Sequence, residues 1–233
     1  MRTRRNVPFL LGAAAVMAAA VPLIGIGAPS GAVLPDLVAD PPEFPVLANY
    51  TYPDATQALL LRFDGFVHNI GPGPLEVRGS DLVGSRYTTV RQYVRTPSGM
   101  VANPPLPVGP PEVRYETADG HNHFHLMRIA RYSLWNQART AEVAPGQKVG
   151  FCLEDSQRRE TTGPSQSVYI NSDFCHQNNP TSPAITMGVS AGWRDRYGAN
   201  LALQWVDVSD VQPGSYWLAA EIPATMRTMT HLH

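Results

Sequence analysis

Hydrophobic side chains in this chain come in short runs that turn-forming residues separate. Residues 59–69 (LLLRFDGFVHN) are apolar and aromatic, alternate in part, and end at Gly71-Pro72-Gly73. This pattern predicts a strand followed by a turn. Residues 86–95 (RYTTVRQYVR) have high strand propensity. Further predicted strands, each bounded by Gly, Pro, Asn or Asp, are 115–135, 148–155, 201–208 and 215–222.

The segments between these runs predict loops. Residues 33–49 are proline-rich and indicate an extended arm, and the five prolines in residues 100–111 indicate a loop. No stretch after residue 32 has a convincing helical period, and the 19 glycines and 22 prolines follow no repeat. We therefore predict an all-β fold, a sandwich-like single domain with long loops, formed by residues 33–233.

The first 32 residues resemble an export signal. Three arginines lie within the first five residues, residues 9–26 are apolar, and small residues stand at positions 30 and 32. A retained membrane anchor is the alternative, but Pro22 and the many small residues favour cleavage. We expect a secreted or cell-envelope protein with no stable membrane span after cleavage. The paired arginines leave both the Sec and the Tat route open.

The net charge of the chain adds little to this interpretation. Without the three N-terminal arginines the chain has 15 basic and 19 acidic residues. This balance is too even for a nucleic-acid-binding arm, and a mildly acidic surface attracts cationic molecules such as amines.

The chain has two cysteines, Cys152 and Cys175. In an oxidising compartment they predict a disulfide. Two free thiols or a copper-binding pair are the alternatives, and their spacing does not match a zinc motif.

The densest chemical signal is the run His121-Asn122-His123-Phe124-His125. Alternate residues of a strand share a face, so the three imidazoles are expected to project together. Imidazole nitrogen binds copper, zinc, nickel and iron, and three ligands leave positions open for a substrate or oxygen. The spacing predicts a metal site without naming the metal, and three solvated histidines are the alternative.

Several segments, in the same order, resemble the lysyl oxidase family. They are 34–41 (LPDLVADP), 60–69 (LLRFDGFVHN), the histidine run, 131–134 (RYSL), 148–155 (KVGFCLED), 195–200 (DRYGAN), 204–208 (QWVDV) and 210–216 (DVQPGSY). The resemblance extends from Leu34 to about residue 223.

The resemblance implies an amine oxidase that makes its own cofactor. His121, His123 and His125 would bind copper, and Tyr197 and Lys148 would form the cross-linked lysine tyrosylquinone. Asp195 matches the position of the catalytic base. The implied substrates are primary amines, either lysine side chains of a protein or small amines. With O2 and water they would give aldehydes, hydrogen peroxide and ammonia.

The chain also departs from the family pattern. Family members from animals carry more cysteines, so the resemblance leaves Cys175 as the expected partner of Cys152. The tail 224–233 (ATMRTMTHLH) is unlike the family, which motivates an alternative function as an exported copper-binding or surface module without oxidase activity. A zinc hydrolase is disfavoured, because Asp119 is the only carboxylate next to the histidine run.

Overall fold

The computed structural model describes residues 28–103, 111–117, 120–170 and 173–223. Most of the predicted export segment, Asp119 and the tail 224–233 lie outside these residues. Within the described ranges, the chain forms no helix with the length and apolar character needed to cross a membrane.

The described residues form sixteen β-strands that pair into three sheets. In chain order the strands are β1 (Leu37–Ala39), β2 (Glu43–Thr51), β3 (Gln57–Asn69), β4 (Leu75–Val83), β5 (Arg86–Thr96), β6 (Gly99–Ala102), β7 (Val113–Glu116), β8 (His123–Met127), β9 (Arg131–Asn136), β10 (Glu142–Pro145), β11 (Gly150–Phe151), β12 (Gln157–Arg158), β13 (Ala184–Val189), β14 (Trp193–Tyr197), β15 (Trp205–Asp207) and β16 (Tyr216–Glu221).

The long apolar run of the sequence becomes β3, the central strand of a six-stranded sheet. Strands β1 and β2 pair with one edge of β3, and β14 and β15 pair with the other. Val67, for example, lies between Ala39 and Asp195. Both edges of β3 are paired, and its side chains are buried along most of its length.

The other two sheets complete the domain. The seven-stranded sheet has the order β11-β8-β7-β5-β4-β13, with β6 also on β5, and the three-stranded sheet has the order β10-β9-β16. Phe63, Phe124 and Tyr132, one from each sheet, belong to one buried hydrophobic core. The predicted all-β, sandwich-like single domain is therefore confirmed.

Several predicted boundaries were wrong. The proline-rich arm contains β1 and most of β2, because both find a partner in β3. The predicted loop 100–111 begins within β6, which forms a hairpin with β5. The predicted strand 115–135 covers parts of β7 and β9 and all of β8.

Candidate functional site

Three imidazole rings come together at the start of β8. One ring nitrogen from each of His121, His123 and His125 lies within 4.8 Å of the others. The Nε2 atoms of His123 and His125 are 2.5 Å apart. His123 and His125 are buried and His121 is half-buried. Three clustered imidazoles are a donor set that suits copper, and also zinc, nickel or iron.

The alternation of the histidines predicted that all three lie in one regular strand, and this was wrong. Strand β8 begins at His123, and Asn122 before it has a left-handed backbone with φ of 53°. Asparagine tolerates this conformation better than most residues. The Asn122 carbonyl accepts hydrogen bonds from the Tyr115 hydroxyl at 2.5 Å and the Asn178 amide at 2.7 Å. These contacts hold the turn that brings His121 to the other two rings.

A disulfide fastens a loop behind the histidines. Cys152 and Cys175 are bonded, as the sequence predicted. The Cys175 carbonyl accepts a hydrogen bond from the Phe124 amide at 3.0 Å, and the Gln177 side chain donates to the His121 carbonyl at 3.1 Å. The disulfide thus ties the segment after β11 to the backbone that carries the histidines.

Strand β11 lies directly beside the histidine cluster. Gly150 pairs with Met127, and a side chain at Gly150 would come within 2.6 Å of the His125 Nδ1 atom. The ring of the next residue, Phe151, packs edge-on against the ring of Tyr197 with centroids 4.9 Å apart. The β11 strand therefore links the histidine cluster to Tyr197.

Lys148 and Tyr197 are buried neighbours. The Lys148 Nζ atom is 5.0 Å from the centre of the Tyr197 ring and 5.3 Å from that of Phe151. Lys148 is 3% exposed and Tyr197 is 6% exposed. A lysine after a Pro-Gly turn is ordinarily solvated, so its position against an aromatic ring inside the protein is unusual.

Asp195 lies on the same strand as Tyr197 and bonds to its phenol. Its Oδ2 atom accepts hydrogen bonds from the Tyr197 hydroxyl at 2.5 Å and the Glu154 amide at 3.3 Å. Its Oδ1 atom accepts one from the Ser156 hydroxyl at 2.8 Å. The Tyr197 hydroxyl also lies 3.0 Å from the Cys152 carbonyl.

Burial controls the proton affinity of both groups. It raises the pKa of Asp195 from 3.8 to about 7, although the hydrogen bonds from Tyr197 and Ser156 act in the opposite direction. Burial also raises the pKa of Tyr197 well above 10.0, and the neighbouring Asp195 carboxylate raises it further. Near neutral pH the phenol therefore keeps its proton, while the carboxyl group exchanges its own.

Ion pairs on the alternate residues of β14 hold Asp195 and Tyr197 in place. Arg194 donates to Asp40 at 2.9 Å, and its guanidinium lies 3.6 Å from the centre of the Phe66 ring. Arg196 donates to Asp64 at 2.8 Å. These contacts join β14 to β3 and to the segment between β1 and β2.

Sequence reasoning missed three residues near Tyr197. Phe151 packs against both Lys148 and Tyr197, and Tyr132 and Gln204 place buried polar groups in the same part of the core. All three fall within segments that resemble the family, but no spacing pattern connects them to Tyr197. Their proximity depends on strand pairing between distant parts of the chain.

The sequence of the chain is similar to that of known proteins from one family. The sequence model of the family described as Lysyl oxidase matches residues 91–230, more than half of the chain. Over 113 residues, 48% of this chain, it is 34% identical to human lysyl oxidase homolog 1 and 32% identical to rat protein-lysine 6-oxidase. It is 37% identical to bovine lysyl oxidase homolog 2 over 99 residues, 42% of this chain.

The matched regions make up 17%, 24% and 11% of these three relatives. The chain therefore corresponds to a limited part of each longer protein. Because the family model covers most of the chain, including the histidine run, Lys148 and Tyr197, the chain belongs to the lysyl oxidase family.

Proposed function

We propose that this protein is a copper-dependent oxidase of primary amines that makes a lysine tyrosylquinone from its own Tyr197 and Lys148. The observation that carries the proposal is the burial of the Lys148 amine 5.0 Å from the centre of the Tyr197 ring. The overall reaction converts a primary amine, O2 and water to an aldehyde, ammonia and hydrogen peroxide.

His121, His123 and His125 are the proposed copper ligands. Their nitrogens lie within 4.8 Å of one another, which is close enough for all three to bind one ion. The imidazole donors alone would accept zinc equally well. When bound, copper would supply the redox chemistry by which O2 oxidises the tyrosine, and the quinone would supply the carbonyl that condenses with the amine.

Lys148 and Tyr197 have complementary roles. The Tyr197 hydroxyl contacts the Asp195 carboxylate and the Cys152 carbonyl, which fixes the position of that end of the ring. The amine of Lys148 approaches the same ring from within the core. Burial protects both groups from competing reactions with solvent and holds the amine near the ring, which raises its effective concentration.

Asp195 is the proposed catalytic base, which removes a proton from the carbon that bears the substrate nitrogen. Its pKa of about 7 suits a group that must take up and release a proton near neutral pH. An exposed aspartate would be too weak a base for this role.

The substrate class follows from the chemistry and from the relatives. Protein-lysine 6-oxidase is by its name an oxidase of protein lysines. We propose that primary amines, either lysine side chains of a protein or small amines, are the substrates here, with O2 as the oxidant. The disulfide fits the proposed secreted or cell-envelope location, because such bonds persist in oxidising compartments.

Quinone redox staining of the purified, copper-supplied protein tests the proposal. The unmodified protein should stain, and Tyr197→Phe and Lys148→Ala should not. Tyr87→Phe is the matched control, since it removes another buried tyrosine hydroxyl, which donates to the Ser182 carbonyl, and it should stain normally. Copper binding without staining in the unmodified protein would refute the oxidase and favour an exported copper-binding module.

A further inference from the structure

We propose that Tyr132 and Gln204 form a buried polar pair that positions the ring of Tyr197 in its oxidised form, an inference that rests on the proposed function. Neither residue is assigned a role by the steps above. Both are positioning residues, because they act on the ring of Tyr197 and not on the substrate.

The pair occupies space that the backbone of β3 leaves open beside Tyr197. Gly65 of β3 pairs in register with Tyr197, and directly opposed residues in an antiparallel pair point to the same face. A side chain at Gly65 would overlap the Tyr132 hydroxyl and lie 2.8 Å from Gln204 Nε2. The phenol and the amide thus fill the position next to Tyr197 that a larger residue at Gly65 would occupy.

Both polar groups are fully enclosed. Tyr132 is 1% exposed and Gln204 is 0% exposed. Within the described ranges, no third group donates to or accepts from the Tyr132 hydroxyl or the Gln204 amide, although the amide lies near enough to lower the pKa of the hydroxyl through a hydrogen bond. Buried polar groups are normally hydrogen-bonded, and exceptions call for an explanation. The Tyr132 hydroxyl and the Gln204 amide are therefore candidates for contact with the oxidised ring of Tyr197.

Electrostatic effects indicate that the pair and the Tyr197 site are close. Burial raises the pKa of Tyr132, the nearby Gln204 amide offsets part of that rise, and the charge of Asp195 adds to it. Tyr132 in turn contributes to the raised pKa of Tyr197.

Oxidation of Tyr197 would change its ring from a group that donates a hydrogen bond to a group that only accepts them. The phenol now faces two acceptors, the Asp195 carboxylate and the Cys152 carbonyl. A quinone ring has no phenol proton to donate to them, and its oxygens need donors instead. The Tyr132 hydroxyl and the Gln204 amide can supply such donors from within the core. We expect them to hold the ring in one orientation as the cofactor forms.

The test compares Tyr132→Phe and Gln204→Leu with the unmodified protein and the Tyr87→Phe control. In copper-supplied protein, each variant of the pair should shift the quinone absorption maximum and slow quinone formation by about tenfold, as expected for the loss of one hydrogen bond. The control should change neither property. The two substitutions are independent, so misfolding of one variant leaves the other as the test.

A second measurement requires neither copper nor quinone. In metal-free protein with 13C-labelled tyrosine, the Tyr197 ring signal is assigned by its loss in Tyr197→Phe. The chemical shift of this signal should change in Tyr132→Phe and in Gln204→Leu, and it should stay unchanged in Tyr87→Phe.

The outcomes separate the two proposals. If the unmodified protein forms the quinone and both variants keep its absorption maximum and formation rate, the positioning role is wrong and the proposed function stands. If the unmodified protein forms no quinone despite bound copper, the proposed function fails and the positioning role fails with it.

Discussion

The buried carboxyl group of Asp195 should make the stability of this protein depend on pH in a defined way. Its pKa is 3.8 in an ordinary environment and about 7 in the folded chain. Asp195→Asn keeps a side chain of similar shape and removes the ionisation. Comparison of the two proteins across pH therefore isolates the cost of a buried charge.

The direction in which stability changes with pH follows from whether the folded or the unfolded chain holds the Asp195 proton more tightly. Below about pH 4 both the folded and the unfolded chain keep this proton, and the contribution of Asp195 to stability is fully present. As the pH rises toward 7, the unfolded chain releases the proton while the folded chain retains it, so stability falls. Above the folded pKa both states are ionised, and the loss is complete.

The magnitude comes from the gap between the two pKa values. The pKa of Asp195 rises from 3.8 to about 7 on folding. At about 1.36 kcal/mol per pKa unit, the full loss of unfolding free energy is about 4 kcal/mol. Asp195 is 2% exposed, so solvent screening does not reduce this figure greatly. A loss of this size is a large fraction of the stability of a typical domain, roughly 5–15 kcal/mol.

Urea unfolding of metal-free protein between about pH 4 and 9, followed by tryptophan fluorescence, measures the effect. The unfolding free energy of the unmodified protein minus that of Asp195→Asn should fall by about 4 kcal/mol over this range. Asp210→Asn, at an exposed position, is the control for the same substitution made elsewhere in the chain. A difference for Asp195 that does not change with pH would show that the carboxyl group is not held in a desolvated site.

Three further predictions concern the disulfide, the histidines and β3. Replacement of Cys152 and Cys175 by serine should lower the unfolding free energy by about 3 kcal/mol in urea titrations; an unchanged value, or two free thiols in the unmodified protein, would contradict the bond. His125→Gln should weaken copper binding by about a hundredfold or more, measured by competition with a chelator, whereas His176→Gln should leave it intact. Gly65→Ala should cost about 1–3 kcal/mol in thermal unfolding, because the added methyl group overlaps a buried tyrosine hydroxyl.

The local pattern of the sequence was sufficient for the fold class and for several strands. The apolar run that became β3 and the β-branched, aromatic run that became β5 have clear strand propensity, and Pro and Gly mark the turns between strands. The clustering of the three histidines and the Cys152–Cys175 bond were also predicted correctly. The strand propensities, the pairing of the two cysteines and the close spacing of the histidines can be seen in the sequence directly, although the turn that completes the histidine cluster cannot.

Other features depended on contacts between distant segments. The proline-rich arm forms β1 and most of β2 because β3 supplies hydrogen-bonding partners, a gain that local propensity does not include. His121 joins the other histidines through a left-handed turn at Asn122, which Tyr115 and Asn178 hold in place.

The same distinction applies to the chemistry near Tyr197. The resemblance to a family selected Lys148, Asp195 and Tyr197, but only the tertiary structure buries them together and raises the pKa of Asp195. Tyr132 and Gln204 reach this part of the core because Gly65 leaves room for them. The sequence by itself determined which reactive groups the chain contains and that its fold consists of strands. Folding decided which of these groups lose their water, because desolvation depends on every segment that packs around them.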